Sequence, residues 1–230
     1  MRRALRCGAA LLALLACLLP VSAEAGEESS IVYRAHANEA GKIALTFDDG
    51  PHPHYTHEIL GILAEYDVRA TFFVVGENVE FYPNVLAEVQ AAGHEIGNHT
   101  YDHHRLGRVD TARVTDEILR TEQAVFELCD SRTKLFRPPE GMMNDAVIAA
   151  ARALDYRVIL WNIDTRDWDH PTPEAIAENI LSHVKSGDII LMHDYIGRDS
   201  PTPAALRIVI PALLEAGYRF VGVSELIGSN

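Results

Sequence analysis

The chain has 230 residues and a formal net charge of −13, with 33 acidic against 20 basic side chains. That balance, without any basic stripe, excludes nucleic acid as a partner. The length fits one domain with a substantial core.

Residues 1–25 read as a secretory signal peptide. Arg2, Arg3 and Arg6 give a positive start, and the apolar run 9–19 ends at Pro20. That run is too short to span a bilayer, so no stable membrane insertion is expected after cleavage. Cleavage is expected after Ala23 or Ala25, with lipoprotein processing at Cys17 as the alternative. Loss of Cys7 and Cys17 leaves Cys129 alone, which rules out an internal disulfide. The expected location is outside the cell, or in the periplasm or cell envelope.

Residues 26–41 are small and polar and read as a short leader, followed by one domain over 42–230. Strands are expected at 43–47, 70–75, 95–98, 135–137, 157–162, 188–192 and 219–223. Helices are expected at 57–66, 82–92, 111–128, 145–154, 173–184 and 203–216. Thr172-Pro173 and Thr202-Pro203 look like N-caps followed by proline at the first turn, and Gly93 and Gly217 like helix stops. Continuously apolar runs such as Ile189-Ile190-Leu191-Met192 suit parallel strands covered on both faces. Seven βα-like units suggest a parallel barrel or a doubly wound open sheet. In either fold, reactive groups belong at the carboxyl ends of the strands.

Five short motifs fall at those ends. Asp48-Asp49-Gly50-Pro51 offers two carboxylates pointing in different directions, although read alone it is ordinary turn chemistry. His99 and His103 stand four apart, a spacing at which two imidazoles converge on one ion if the segment turns. Among eleven histidines, about 0.5 such pairs arise by chance, so its weight comes from its place at a strand end. Arg137-Pro138-Pro139-Glu140-Gly141 is a rigid loop after a strand, whose Arg137 could hold a carboxylate ionised. Asp164-Thr165-Arg166-Asp167-Trp168 and Leu191-Met192-His193 close the next two strands. A histidine facing a neighbouring carboxylate is a candidate general acid.

Taken in order, these motifs resemble those of the polysaccharide deacetylase family (the NodB homology domain, carbohydrate esterase family four), from about Lys42 to Val223. The resemblance implies a single-domain, distorted (β/α) barrel of about seven parallel strands. It also implies hydrolysis of N-acetyl groups on N-acetylglucosamine units of peptidoglycan, chitin or a similar glycan. Asp49, His99 and His103 would ligate a divalent metal, zinc by family habit, though this donor set also suits cobalt, manganese or iron. Asp48 would be the general base, oriented by Arg137. His193 would be the general acid, supported by Asp167. Trp168 and Leu191 would wall the acetyl methyl, Thr100 would steady the metal loop, and Glu140 would meet the sugar. Apart from the resemblance, Asp194 and Tyr195 directly follow His193 and are read as lining the sugar groove. Many relatives carry Tyr where this chain has Glu140, which leaves the choice of glycan open. The rival readings are an O-acetyl esterase on acetylated xylan and a carbohydrate-binding pseudoenzyme.

Overall fold

The computed structural model describes residues 31–35 and 41–228. The expected signal segment lies outside the described residues, as does most of the expected leader. In chain order the elements are β1 (Ile31–Val32), β2 (Lys42–Asp48), α1 (Tyr55–Glu65), β3 (Thr71–Val74), α2 (Gly76–Phe81), α3 (Pro83–Ala91) and β4 (Glu95–Asn98). There follow α4 (Thr111–Cys129), β5 (Leu135–Phe136), α5 (Asp145–Ala153), β6 (Arg157–Ile159) and β7 (Ile163–Asp164). The last are α6 (Pro173–His183), β8 (Ile189–His193), α7 (Thr202–Glu215), β9 (Arg219–Phe220) and α8 (Val223–Leu226).

The named strands pair in parallel in the order β1-β6-β5-β4-β3-β2-β8-β7, with β9 beside the start of β2. Helices cover the outside of this curled sheet, giving a single-domain distorted (β/α) half-barrel, as the motifs imply. Among the described residues, no helix is long and apolar enough to cross a membrane.

Strand alternation sorts each residue by chemistry. In β2, Ile43, Leu45 and Phe47 join the large cluster under the helices, with Ile59 and Ile62 of α1 and Leu206 and Val209 of α7. Ala44, Thr46 and Asp48 therefore point into the barrel. In β8, Ile190 and Met192 join the same helix-side cluster, so Ile189, Leu191 and His193 turn inward. Truncating a fully buried ring such as Phe47 to alanine is expected to cost about 3–5 kcal/mol.

Three helix starts and two helix stops follow local rules, and one expected cap does not. Asp110, Asn144 and Thr172 cap α4, α5 and α6 by accepting from the backbone N–H three residues on. Gly93 and Gly217 follow α3 and α7 with φ of 78° and 85°, a conformation glycine adopts without strain. Thr202, expected to cap α7, is instead its first residue and donates its hydroxyl to Asp167 Oδ2 at 2.7 Å.

Several expected boundaries shift. The strand expected at 157–162 ends at Ile159 as β6, β7 follows separately at Ile163–Asp164, and 219–223 divides into β9 and the start of α8. A short helix, α2, follows β3 where no helix was expected. Ile31–Val32, read as leader, is a strand. It pairs with Val158 and Ile159, and Leu160 N–H donates to Val32 O at 2.7 Å. Arg34 then pairs with Asp188 at 2.9 Å, carrying this segment across to the entry of β8.

Candidate active site

The loops after β2, β4, β5, β7 and β8 meet around one cavity of about 450 Å3. Asp48, Asp49, His99, His103, Glu140, Trp168, Leu191 and His193 line it, together with Arg105, Trp161 and Asp164. Tyr195 is not among the lining residues. Its ring stacks on His52 beside the cavity, with centroids 4.6 Å apart and planes at 11°.

Asp49 Oδ1 lies 3.1 Å from His103 Nε2 and 3.4 Å from His99 Nε2. His99 Nδ1 lies 2.7 Å from Arg137 O, and a carbonyl only accepts, so Nδ1 carries the proton and Nε2 presents a lone pair. A carboxylate oxygen then faces a bare imidazole nitrogen across a gap that neither can bridge alone. Asp49 Oδ1 is buried with no hydrogen-bond partner, the signature of a group awaiting a cation. The three donor atoms lie within 4.8 Å of one another, and two imidazoles with one carboxylate fit a catalytic divalent site with open positions. Burial by itself would raise the Asp49 carboxyl, yet His103 first, and His99 whenever its ring is protonated, hold it well below the usual carboxylate range. For His103, burial works against protonation, but Asp49 and the further carboxylates Asp48 and Glu140 raise its pKa above the ordinary value.

The backbone here is strained. Asp49, Thr100 and His103 have φ of 76°, 69° and 54°, a region β-branched Thr100 rarely enters. Surrounding groups hold them there. Asn78 Nδ2 donates to Asp49 O at 2.8 Å, and Thr100 N–H donates to Asn98 Oδ1 at 3.0 Å. Tyr101 and Asp102 N–H both donate to Glu117 Oε2, at 2.8 and 3.1 Å. Glu117 is fully buried on α4, and Arg113 neutralises it at 2.6 Å.

Asp48 occupies the inner face of β2. Arg137 Nη1 donates to its Oδ1 at 2.6 Å and to Thr46 Oγ1 at 2.8 Å, while Nε and Nη2 donate to Ile159 O and Leu160 O. Asp48 Oδ2 is left 3.6 Å from His99 Nε2. Across the β2–β8 register, Asp48 is paired with His193. His193 Nδ1 lies 2.7 Å from Asp167 Oδ1, and its backbone N–H donates to Asp167 Oδ2 at 2.7 Å. Burial would lower the His193 pKa, but Asp167 first, then Asp48 and Asp49, raise it to about 9. The other two cavity walls are Leu191, inward on β8, and Trp168, whose ring is 47% exposed. Glu140, at φ 57°, accepts from Arg105 Nε at 2.8 Å.

A sequence model described as polysaccharide deacetylase matches residues 35–159. The chain is 43% identical to a peptidoglycan-N-acetylglucosamine deacetylase of Bacillus cereus over 187 residues, covering 80% of this chain and 87% of that protein. The chain belongs to the polysaccharide deacetylase family. It is an enzyme, a hydrolase that removes acetyl groups. Among solved structures, this deacetylase is similar to the Bc1960 peptidoglycan N-acetylglucosamine deacetylase in complex with 4-naphthalen-1-yl-N-oxidanyl-benzamide. That likeness has a TM-score of 0.84 and 33% identity, over 87% of this chain and 94% of that one. It is also similar to a family 4 acetyl xylan esterase from Clostridium thermocellum in complex with a cobalt ion. There the TM-score is 0.77 with 33% identity, over 81% and 90% of the two chains.

Several residues of the deacetylase that shape its site carried no local sign in the sequence. Glu117 braces the histidine loop, Thr202 adds a hydroxyl to Asp167, and Trp161 forms part of the cavity wall. Asp194, read as lining the sugar groove, is instead buried beside Gly50, where its Oδ2 accepts from Thr56 Oγ1 at 2.6 Å and burial raises it to about 7.

Proposed function

We propose that the protein removes N-acetyl groups from N-acetylglucosamine units of a cell-envelope glycan, peptidoglycan in the first instance, after export by the segment 1–25. The observation that carries this reading is the gathering of Asp49, His99 and His103 beside Asp48 and His193 in one cavity. The name of the Bacillus cereus relative supports the choice of glycan.

A divalent cation held by Asp49, His99 and His103, zinc being the first expectation, would acidify water and polarise the acetamide carbonyl. The protein's own groups handle the protons. Asp48, fixed by Arg137, takes a proton through its free Oδ2 as water oxygen bonds to the carbonyl carbon. His193, held by Asp167, presents Nε2–H to the amine nitrogen, which leaves with that proton as the C–N bond breaks. The products are acetate and a glucosamine unit. Water is the nucleophile, so no acyl-enzyme forms. Leu191 and Trp168 enclose the acetyl methyl, and Glu140 borders the sugar.

The same proton handling serves an O-acetyl ester, whose alkoxide leaves more readily. The likeness to an acetyl xylan esterase favours this as the second reading. Acetate release from N-acetylglucosamine oligomers, peptidoglycan and acetylated xylan, with zinc or cobalt added, separates the two. Release from the amide substrates supports the proposal. Release from xylan alone replaces it, and release from none of them, with the ion bound, leaves a carbohydrate-binding pseudoenzyme.

A further inference from the structure

A glycan polymer does not fit inside a cavity of about 450 Å3, so the chain beyond the reacting unit must cross the rim. On the β2–β8 side, that rim carries a stack of rings. Tyr195, two residues after His193, is 42% exposed and lies nearly parallel to His52, three residues after Asp49. His52 also stacks on Tyr55 at 5.3 Å and meets the edge of Tyr82 at 6.3 Å. Its Nδ1 accepts weakly from the N–H groups of His54 and Tyr55, which holds the imidazole in place. The stack is therefore rigid at its base and open at its outer ring.

We propose that Tyr195, stacked on His52, is a second sugar-binding platform that engages the glycan beyond the unit being deacetylated. A pyranose ring presents C–H groups on its faces, and these pack on an aromatic face while the phenol hydroxyl reaches sugar or water. A pre-stacked ring loses little entropy on binding. β2 and β8 are paired with Asp48 opposite His193, and the platform's two rings follow directly on these strand ends, three residues after Asp49 and two after His193. Trp168, on the loop after β7, supplies an exposed ring from the neighbouring strand's side. The inference rests on the glycan reading and adds that chain length matters.

The test compares Tyr195→Ala, Tyr195→Phe and His52→Ala with wild type, on N-acetylglucosamine oligomers from the disaccharide upward. The expected result is a loss in kcat/KM for Tyr195→Ala that grows with length, reaching about tenfold on long oligomers, as when an anchoring aromatic is truncated. Tyr195→Phe should keep most of the length preference, and His52→Ala should lose part of it. A loss equal at every length, or none, overturns the platform. Calorimetric titration of a long oligomer into metal-free protein reads the platform without turnover. Weaker binding by Tyr195→Ala supports it even if wild type releases no acetate, a result that would sink only the hydrolytic reading. An unchanged Kd overturns the platform whatever the kinetics.

Discussion

Arg137, with no exposed surface, places Nη1 2.6 Å from Asp48 Oδ1 and spreads its other donors over Thr46, Ile159 and Leu160. Its guanidinium also lies 4.0 Å above the Phe73 ring. Burial pulls the Arg137 pKa down and Asp48 pushes back, so each charge depends on the other. The pair fixes one carboxylate oxygen and leaves the second for the cavity.

Removing the cation alone strands a buried carboxylate. Arg137→Ala is expected to destabilise the fold by about 3–5 kcal/mol, visible as a large drop in Tm. Asp48→Asn keeps the shape and removes the proposed base. It should retain Tm within a few degrees while kcat falls about 10²–10⁴-fold. Acetate release near wild-type rates from Asp48→Asn would remove Asp48 from its role.

His193 gives a prediction in pH. Its folded value, about 9, lies above the ordinary 6.5, so the proton is bound more tightly in the folded state. The His193–Asp167 contribution to stability is therefore complete below about pH 6.5 and is lost as pH rises through about 9. In metal-free protein, an NMR titration of His193 should show a midpoint near 9. Asp167→Asn should move that midpoint down, and should lower kcat by removing the group that orients the acid. A His193 midpoint unmoved by Asp167→Asn would contradict the pairing.

Much of this site was legible because each motif is short, contiguous and tied to a strand end. Asp48-Asp49, His99 with His103 and His193 line one cavity, with Arg137 and Asp167 buried against Asp48 and His193, and the parallel sheet explains why. Glu117 and Thr202 were hidden for the opposite reason, and Asp194, read as lining the sugar groove, is buried instead. Each acts through a contact far along the chain, such as Thr202 on Asp167 or Asp194 on Thr56, and no local pattern marks a brace. Ile31–Val32 was taken for leader because two apolar residues carry no period, and only the exposed edge of β6 makes them a strand. Tyr195, read as meeting the sugar, stacks its ring on His52 and is not among the cavity-lining residues.

Gly50 tests the packing behind the metal turn. A Cβ there would lie 2.0 Å from Asp194 Oδ2, and that carboxylate is buried and held by Thr56. Gly50→Ala is expected to cost about 1–3 kcal/mol and to weaken metal binding by displacing Asp49. Thermal melts with and without zinc would check both. A variant with unchanged Tm and unchanged zinc affinity would show that the turn has slack.

Metal affinity should fall with pH, because protons compete for the ligands. The raised pKa of His103 places that competition above the ordinary histidine range. Zinc affinity measured by competition with a chromophoric chelator should drop as pH falls through this range. His103→Ala should bind zinc at least tenfold more weakly, in keeping with the loss of a ligand. Equal affinity in wild type and His103→Ala would place the ion elsewhere.

The most direct measurement is anomalous diffraction from crystals grown with zinc or cobalt. The expected result is one strong peak about 2.0–2.2 Å from Asp49 Oδ1, His99 Nε2 and His103 Nε2, beside Asp48. Acetate release by protein whose crystals show no ion among these three residues would contradict the account.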